Sequence, residues 1–383
     1  MQFRDLQKQY VTLKESIDTA MLNVASSAHF ILGPEVKELE IQLADYVGVK
    51  HCISCANGTD AISIAMRAWG ISKGDAVFVP DFTFFSSGEC PADEGATPIF
   101  VDVDQRTFNL DPIKLEESIK RILAEGKYKA KAVVAVDLYG LPANYRAIKT
   151  ICKKYNLLLL EDGAQGFGGS MDGKRACSFG DISITSFFPA KPLGCYGDGG
   201  AIFTDNDVWA DLIRSICVHG KDTSNPSDSN AKYNNVRLGK NSRLDTLQAA
   251  ILLPKFKAFI DYELRDVNSV ADYYTDGLRD TELILPKTDD GFFSSWAQYT
   301  VQLPEKINRR LVQEKLRAAG IPSMVYYSKP LHKQGAFKET DSENAHCPIA
   351  EKLCQTVLSL PIDPYKTKSE IEIVITELKK ILK

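Results

Sequence analysis

Short apolar runs alternate with helical stretches between residue 51 and about residue 245, and this alternation constrains the fold more than any other feature. The apolar runs are DAVFVP (75–80), TPIFVDV (97–103), AVVAVDLYG (132–140), LLLLED (157–162), ISITSFF (182–188) and GAIFT (200–204). Helical patterns such as TDAISIAMRAW and NYRAIKTICKKY lie between them. Continuous apolar strands separated by helices are typical of a mostly parallel sheet covered on both faces. We therefore predict an α/β fold around such a sheet.

The sequence on either side of this block predicts the rest of the domain organisation. Before it, KESIDTAMLNVA and PEVKELEIQLADYV carry apolar residues at helical spacing. After it, a helical pattern runs from Leu244 to Leu278, and a strand (AQYTVQL) and two helices (NRRLVQEKLRAAG and SEIEIVITELKKILK) follow. We predict N-terminal helices and a large α/β domain over 1–245, and a long helix with a smaller α+β domain over 246–383. The polar stretch 220–243 predicts a long loop between them.

Composition excludes several classes of function. The 383 residues carry a formal net charge of -4 with no basic block, which argues against nucleic-acid binding. No apolar run approaches the length of a membrane span. The nine cysteines include one C-x-x-C, at Cys52 and Cys55, and no histidine cluster that would complete a zinc site. We expect a cytoplasmic protein without a metal site.

Two stretches next to predicted strands carry residues suited to charged groups of a ligand. In parallel α/β sheets, ligands bind beyond the carboxyl ends of the strands. Asp162 ends a leucine run, where a carboxylate is costly unless it meets a cation or strong donors, and Gln165 follows. Gly58 and Thr59 open a helix, whose free N–H groups suit an anion. Helix capping by Thr59 or Asp60 is the alternative explanation.

The segment SFFPAKPLGCYGDGG places Lys191 among apolar residues. Desolvation lowers the pKa of a lysine, which makes the amine a nucleophile toward carbonyl compounds or pyridoxal 5′-phosphate (PLP). A lysine that extends to solvent is the alternative. Phe84 follows another strand and could stack on a planar ligand or pack in the core. Asn241 and Arg243 stand just before the long helix, where Asn241 could also serve as an N-cap.

Together these motifs resemble the DegT/DnrJ/EryC1/StrS family of PLP-dependent nucleotide-sugar aminotransferases. The resemblance is carried by DGAQ (162–165), SFFPAK (186–191), GDGG (197–200) and NSRLD (241–245), with FILGPEVKELEIQLADYVGVKHCISCANGTDA, YYSKPLHKQ and SLPIDPY. It implies the aspartate-aminotransferase (type I) fold. Within the family, SCANGTDA and NSRLDTLQAAILLPK are most similar to the aminotransferases that act on UDP-2-acetamido-2-deoxy-3-oxo-glucuronate.

The resemblance implies a role for each residue around the cofactor. Lys191 would hold PLP as an internal aldimine and then move a proton as general acid and base. Asp162 would pair with the pyridine nitrogen and keep it protonated. Gln165 would lie against one face of the ring and Phe84 would stack near the other.

The resemblance also implies phosphate and substrate contacts. Gly58, Thr59 and Ser186 would bind the cofactor's 5′-phosphate. Asn241 would reach that phosphate from the partner subunit, so the active sites of a homodimer would be shared. The implied substrates are a nucleotide sugar and L-glutamate, in the biosynthesis of amino sugars for surface polysaccharide. The implied substrate contacts are Arg243, Tyr327 and His332.

Three alternatives to this function remain at this point: two other activities within the family and one non-catalytic role. A 4-keto nucleotide sugar linked to UDP, dTDP or GDP is an alternative substrate, and a PLP-dependent sugar dehydratase is an alternative enzyme. The family's dehydratases replace the lysine by histidine, and Lys191 argues against that branch. A non-catalytic regulatory protein is the third alternative.

The chain departs from the family's pattern at one motif. Where members commonly have D-A-A-Q, this chain has DGAQG, and we expect Gly163 and Gly166 to leave more room in the sugar pocket.

Overall fold

The computed structural model describes residues 1–222 and 234–383. Its helices are α1 (Leu6–Ser27), α2 (Pro34–Val47), α3 (Gly58–Ala68), α4 (Ser86–Asp93), α5 (Pro112–Glu125), α6 (Tyr145–Tyr155), α7 (Asp207–Cys217), α8 (Thr246–Ala258), α9 (Leu264–Leu278), α10 (Arg309–Ala318), α11 (Pro348–Thr356) and α12 (Lys368–Leu382). Local sequence sets their ends. The Asp5 carboxylate accepts a hydrogen bond from the Lys8 N–H at the start of α1. Pro34 occupies the first turn of α2, which ends at Gly48 with φ +83°.

The strands form one large sheet and two small ones. They are β1 (His51–Cys55), β2 (Asp75–Pro80), β3 (Thr97–Val101), β4 (Lys129–Val136), β5 (Leu158–Asp162), β6 (Ser170–Met171), β7 (Lys174–Arg175), β8 (Ile182–Ser186), β9 (Gly200–Thr204), β10 (Phe292–Phe293), β11 (Tyr299–Gln302) and β12 (Val357–Leu360). The order in the large sheet is β1-β9-β8-β5-β4-β2-β3. β9 runs antiparallel to β1 and β8, and the other neighbours in the order pair in parallel. The prediction of an α/β fold with a mostly parallel sheet is confirmed.

Helices cover both faces of this sheet. Val77 and Val79 of β2 pack with α3 and α7 on one face, whereas Phe78 between them packs with α5 and α6 on the other. The alternation of side chains along a strand explains this division. Because both faces are buried, the central strands are mostly apolar, which is why the runs are visible in the sequence.

A separate core lies in the C-terminal part of the chain. Side chains of α9, α10 and α12 enclose β11 and β12 there, beginning at Val267. The first part of the long helix behaves differently, because Leu252 and Phe256 of α8 pack with Leu39 of α2. The two-domain division at 245/246 therefore stays a prediction, and the packing shows that α8 shares the core of the residues before it.

The predicted loop at 220–243 lies partly outside the described residues, which omit 223–233. Within the parts of the chain that the structure covers, no helix combines the length and the apolar character needed to cross a bilayer.

Candidate active site

A cavity of about 690 Å³ opens at the carboxyl edge of the large sheet. Its walls come from the start of α3, the segment after β2, the ends of β5 and β8, and the loop that follows β8. Gln298, Tyr326 and Tyr327 complete it from the C-terminal part of the chain. Eight of the eleven residues predicted for the site line it: Gly58, Thr59, Phe84, Asp162, Gln165, Ser186, Lys191 and Tyr327.

Asp162 is a buried carboxylate at the end of β5, 4% exposed. It accepts hydrogen bonds from the Ser87 hydroxyl and from the Ala164 N–H, each at 3.1 Å. Burial raises the pKa of Asp162, and these hydrogen bonds together with the Lys191 charge oppose that rise. A cationic ring nitrogen at this carboxylate would relieve the cost of its burial.

Lys191 reaches the same cavity from the loop after β8. The backbone N–H of Lys191 donates a hydrogen bond to the Phe188 carbonyl at 2.8 Å, which closes a tight turn. Burial lowers the pKa of the Lys191 amine, the Asp162 carboxylate raises it, and the Arg4 guanidinium lowers it further. A larger share of the neutral, nucleophilic amine is therefore present than an exposed lysine has.

Gln165 is fixed in position by its neighbours on both sides. Its Oε1 accepts a hydrogen bond from the Tyr139 N–H at 2.8 Å, and its Nε2 donates to the Tyr327 hydroxyl at 3.1 Å. The Tyr327 ring in turn lies 6.3 Å from that of Phe84, centroid to centroid. Phe84 is 52% exposed, so it faces the cavity rather than the core. These three side chains form a wall against which a flat ring can lie.

The start of α3 and the end of β8 meet at the other end of the cavity. Asn57 caps the helix, since its side chain accepts from the Asp60 N–H at 2.7 Å. Neither Thr59 nor Asp60 is therefore the cap, which leaves Thr59 on the cavity wall. A Cβ on Gly58 would come within 2.9 Å of the Ser186 Cβ, so glycine permits this approach. Helix N–H groups beside two hydroxyls suit a phosphate.

The other three predicted residues lie outside the cavity of a single chain. Asn241 is exposed in a bridge with Val218, and Arg243 is half-buried. A role for either one at the cofactor would require a second chain.

His332 is also outside the cavity, because it is buried against Asp81. Its ring Nδ1 lies 2.6 Å from Asp81 Oδ2, and its backbone N–H donates a hydrogen bond to Asp81 Oδ1 at 2.8 Å. The hydrogen bond with Asp81 raises the pKa of His332, and burial opposes this. Cys347 lies beside this pair. Its Sγ, one ring nitrogen of His332 and one carboxylate oxygen of Asp81 all lie within 4.8 Å of one another. The short contact between His332 and Asp81 is a hydrogen-bonded pair.

The expectation that Gly163 and Gly166 enlarge the sugar pocket is wrong. A Cβ on Gly163 would come within 2.5 Å of the Cys177 Sγ, and one on Gly166 within 2.3 Å of the Asp137 Cβ. Both glycines therefore face buried protein rather than the cavity. The departure from D-A-A-Q therefore makes room for the neighbouring Cys177 and Asp137 side chains, not for a sugar.

Sequence reasoning missed several residues that shape the cavity. Ser87 stands two positions after Phe85, but nothing in the sequence showed that it would reach Asp162. Gln298 comes from a distant segment without a local motif, and Tyr326 begins the YYSKPLHKQ motif, in which only Tyr327 and His332 were assigned to the site. The Gln298 Oε1 is buried and has no hydrogen-bond partner within the described residues. A bound molecule with a donor group would satisfy it.

A model described as the DegT/DnrJ/EryC1/StrS aminotransferase family matches residues 11–379. The chain belongs to this family. A relative from Pseudomonas aeruginosa, named UDP-2-acetamido-2-deoxy-3-oxo-D-glucuronate aminotransferase, is 45% identical over 378 residues, which is 99% of each chain. A relative from Acidithiobacillus ferrooxidans, named UDP-N-acetyl-3-dehydro-alpha-D-glucosamine 3-aminotransferase, is 37% identical and covers 99% of this aminotransferase and 97% of its own length.

Solved structures agree with the fold of this aminotransferase. A family member from Brucella abortus superposes with a TM-score of 0.94 at 41% identity, covering 100% of this chain and 99% of its own. NtdA from Bacillus subtilis, crystallised with bound cofactor PMP, superposes with a TM-score of 0.86 at 28% identity. It covers 96% of this chain and 81% of its own.

The aminotransferase is PLP-dependent, and the donors in its cavity fit that cofactor. Lys191 would provide the amine for covalent attachment, Asp162 a carboxylate for the ring nitrogen, and the start of α3 with Ser186 a place for the phosphate. When bound, PLP supplies an electron sink at the reacting carbon. The roles of the individual residues remain predictions.

Proposed function

We propose that this aminotransferase converts a 3-oxo nucleotide sugar, UDP-2-acetamido-2-deoxy-3-oxo-glucuronate, into the corresponding amine with L-glutamate as the amino donor. The product would be an amino sugar for a surface polysaccharide. The observation that carries the proposal is the 45% identity, over 99% of both chains, to the Pseudomonas aeruginosa protein that bears this substrate in its name. A second relative also names a 3-oxo sugar.

The cavity supports a transfer of this kind. Lys191 would move the proton, and burial, which lowers the pKa of its amine, supports this role. The Asp162 carboxylate, which accepts a hydrogen bond from the Ser87 hydroxyl, would pair with the cofactor's ring nitrogen. Tyr327 and Phe84 form an aromatic wall, and a cavity of about 690 Å³ has room for a sugar beside the cofactor.

We also propose that the enzyme works as a homodimer with shared sites. Phe30, Ile31 and Leu32 are 47%, 47% and 62% exposed, which is unusual for three consecutive large apolar residues unless a partner covers them. Asn241 and Arg243 lie outside their own chain's cavity, and this is consistent with a role in a neighbour's site. All nine cysteines are free and buried, which supports an enzyme of the reducing cytoplasm.

The substrate proposal is tested by a panel of keto nucleotide sugars supplied with L-glutamate. We expect the amine of the 3-oxo uronate as the main product by mass spectrometry, with one 2-oxoglutarate released for each amine. The Lys191→Ala variant is the control for background amination. Faster amination of a 4-keto sugar would overturn the substrate, and a dehydrated product without 2-oxoglutarate would indicate the dehydratase alternative.

The shared site is tested by mixing two inactive variants, Lys191→Ala and Arg243→Ala. If each site takes Lys191 from one chain and Arg243 from the other, half of the mixed dimers' sites are intact. After subunit exchange, about a quarter of the wild-type activity should then return. If each chain carries a complete site of its own, mixing restores nothing. Analytical ultracentrifugation of each variant confirms that both remain dimers.

A further inference from the structure

Tyr139 lies in the turn that follows β4 and has an unusual backbone conformation. Its φ is +59° and its ψ is 5°, which is the left-handed region that residues with a Cβ rarely adopt. The turn is fixed on both sides of it. The Leu138 N–H donates to Asn109 Oδ1 at 2.9 Å, and the Ser295 N–H donates to the Gly140 carbonyl at 2.9 Å. A bulky side chain kept in this conformation points to a task for that side chain.

The backbone of Tyr139 holds two residues of the cavity. Its N–H donates to Gln165 Oε1 at 2.8 Å, and its carbonyl accepts from the Gln298 N–H at 3.3 Å. Gln165 and Gln298 both line the cavity, whereas Tyr139 itself is not among the lining residues. Any influence of Tyr139 on a bound molecule therefore passes through the residues that it holds.

The side chain of Tyr139 reaches a third residue of the cavity. Its hydroxyl donates a hydrogen bond to the Tyr326 carbonyl. Burial raises the pKa of Tyr139, so the hydroxyl keeps its proton and remains a donor. The next residue, Tyr327, accepts a hydrogen bond from Gln165 Nε2 at 3.1 Å. Tyr326 and Tyr327, the tyrosine pair, are thus both connected to Gln165, one directly and the other through Tyr139.

Aromatic rings packed behind the cavity hold the Tyr139 ring in place. This ring meets Phe108 edge-on, with the ring centroids 5.0 Å apart. The Phe82 ring lies 6.4 Å from that of Phe108 and 6.1 Å from that of Tyr327, again between centroids. Phe82 and Phe108 are both buried. Because a close-packed interior leaves such rings little freedom, the Tyr139 hydroxyl is presented to Tyr326 from one direction.

We propose that Tyr139 is a positioning residue, whose hydroxyl holds the tyrosine pair in the place where the nucleotide sugar contacts it. This rests on the proposed function, in which the sugar reacts in this cavity. The hydrogen bond joins the turn after β4 to the C-terminal part of the chain. Without it, the segment that carries the tyrosine pair could shift relative to Gln165, and a binding wall that shifts loses affinity for its ligand.

The experiment compares Tyr139→Phe with a matched control, Tyr274→Phe, in the enzyme loaded with cofactor. Tyr139→Phe removes the hydroxyl but keeps the ring and the backbone hydrogen bonds to Gln165 and Gln298. Tyr274 is fully buried in the C-terminal core, and its hydroxyl donates to the Pro361 carbonyl at 2.8 Å. Both variants therefore lose one hydrogen bond from a buried tyrosine to a backbone carbonyl, and only one of them does so beside the cavity.

We expect Tyr139→Phe to raise KM for the nucleotide sugar by about threefold to tenfold, the effect of one lost hydrogen bond, while kcat changes less. Cofactor absorbance and the cofactor dissociation constant should be unchanged, because Gln165 keeps its backbone donor. Tyr274→Phe should lower the melting temperature without changing KM. A further variant, Phe108→Leu, keeps the Tyr139 hydroxyl but loosens its ring, and should raise the same KM by a smaller factor.

An unchanged KM in Tyr139→Phe, or an equal rise in Tyr274→Phe, would overturn the proposal. So would weaker cofactor binding, or a larger effect of Phe108→Leu than of Tyr139→Phe, since packing rather than the hydroxyl would then hold the wall. If thermal melting shows that Tyr139→Phe is unfolded, Phe108→Leu decides, and an unchanged KM there overturns the proposal. Failure of the proposed function is separate: if wild type aminates a 4-keto sugar faster, the same comparison is made with that sugar.

Discussion

The two ends of the cavity are built in different ways. At the end that we propose for the cofactor, Asp162 and Ser186 end two strands of the large sheet and Gly58 begins α3. Lys191 follows a few residues after β8. At the end that we propose for the substrate, Gln298 and Tyr326 come from the C-terminal part of the chain. The first end is fixed by the topology of the sheet. The second depends on how a separate core packs against it.

This difference explains how the two ends divide their tasks. A cofactor that is always the same is best held by rigid strand ends, where small errors in position are costly. Sugars differ between relatives of one fold, so the residues that contact them belong on segments that can change without altering the sheet. The predictions below test whether the division holds, beginning with the largest expected effect.

Lys191→Ala should abolish turnover, because the variant lacks the amine that we propose binds the cofactor and moves the proton. Borohydride reduction of wild type followed by peptide mass analysis should place the cofactor on Lys191. The internal control is Lys255, which is also buried and has a pKa lowered by burial to about 8, but lies outside the cavity. Label on Lys255 would show that a lowered pKa, and not position in the sheet, selects the attachment site.

Asp162→Asn should reduce kcat by about a hundredfold or more, since an amide keeps the shape of the group but not the charge that preorganises the cofactor end. Ser87→Ala removes one hydrogen bond to the same carboxylate and should cost less, about tenfold or below. Rates of the glutamate half-reaction measure both. If Ser87→Ala were as damaging as Asp162→Asn, the charge itself would not be the important property.

The same contrast decides how much could be predicted from the sequence. Asp162 and Lys191 were found because strand ends and apolar surroundings make them conspicuous in the sequence. Strand β1 was not among the predicted runs. The antiparallel direction of β9 was not predicted either, because an apolar run carries no sign of the direction of its strand. The partners of Asp81 and Gln165 were hidden as well, since His332 and Tyr327 lie more than a hundred residues away along the chain. Contacts of that kind depend on tertiary packing.

Gln298→Leu should act at the substrate end alone. The variant removes a buried oxygen without a partner in the described chain, so stability should be equal or slightly higher. If that oxygen accepts a hydrogen bond from the sugar, KM for the nucleotide sugar should rise by about tenfold with little change in kcat. Cofactor absorbance should be unchanged. A loss of cofactor binding would mean that the two ends are not independent.

His332 gives the smallest expected effect on activity and the clearest test of a residue assigned to the substrate by resemblance. Its pKa is raised mainly by Asp81, so the pair stabilises the fold fully below the unfolded pKa of about 6.5. That contribution is lost as pH rises through the raised pKa. Denaturation of wild type and His332→Gln across this range should show a difference of about 1–3 kcal/mol at low pH that shrinks at higher pH.

KM for the sugar should be the same in both proteins, because the imidazole is buried against Asp81 outside the cavity of its own chain. A raised KM together with a difference in stability that does not vary with pH would reverse this view. In that case His332 would contact the sugar in the cavity of a partner chain, and the substrate end would be built from residues of two chains.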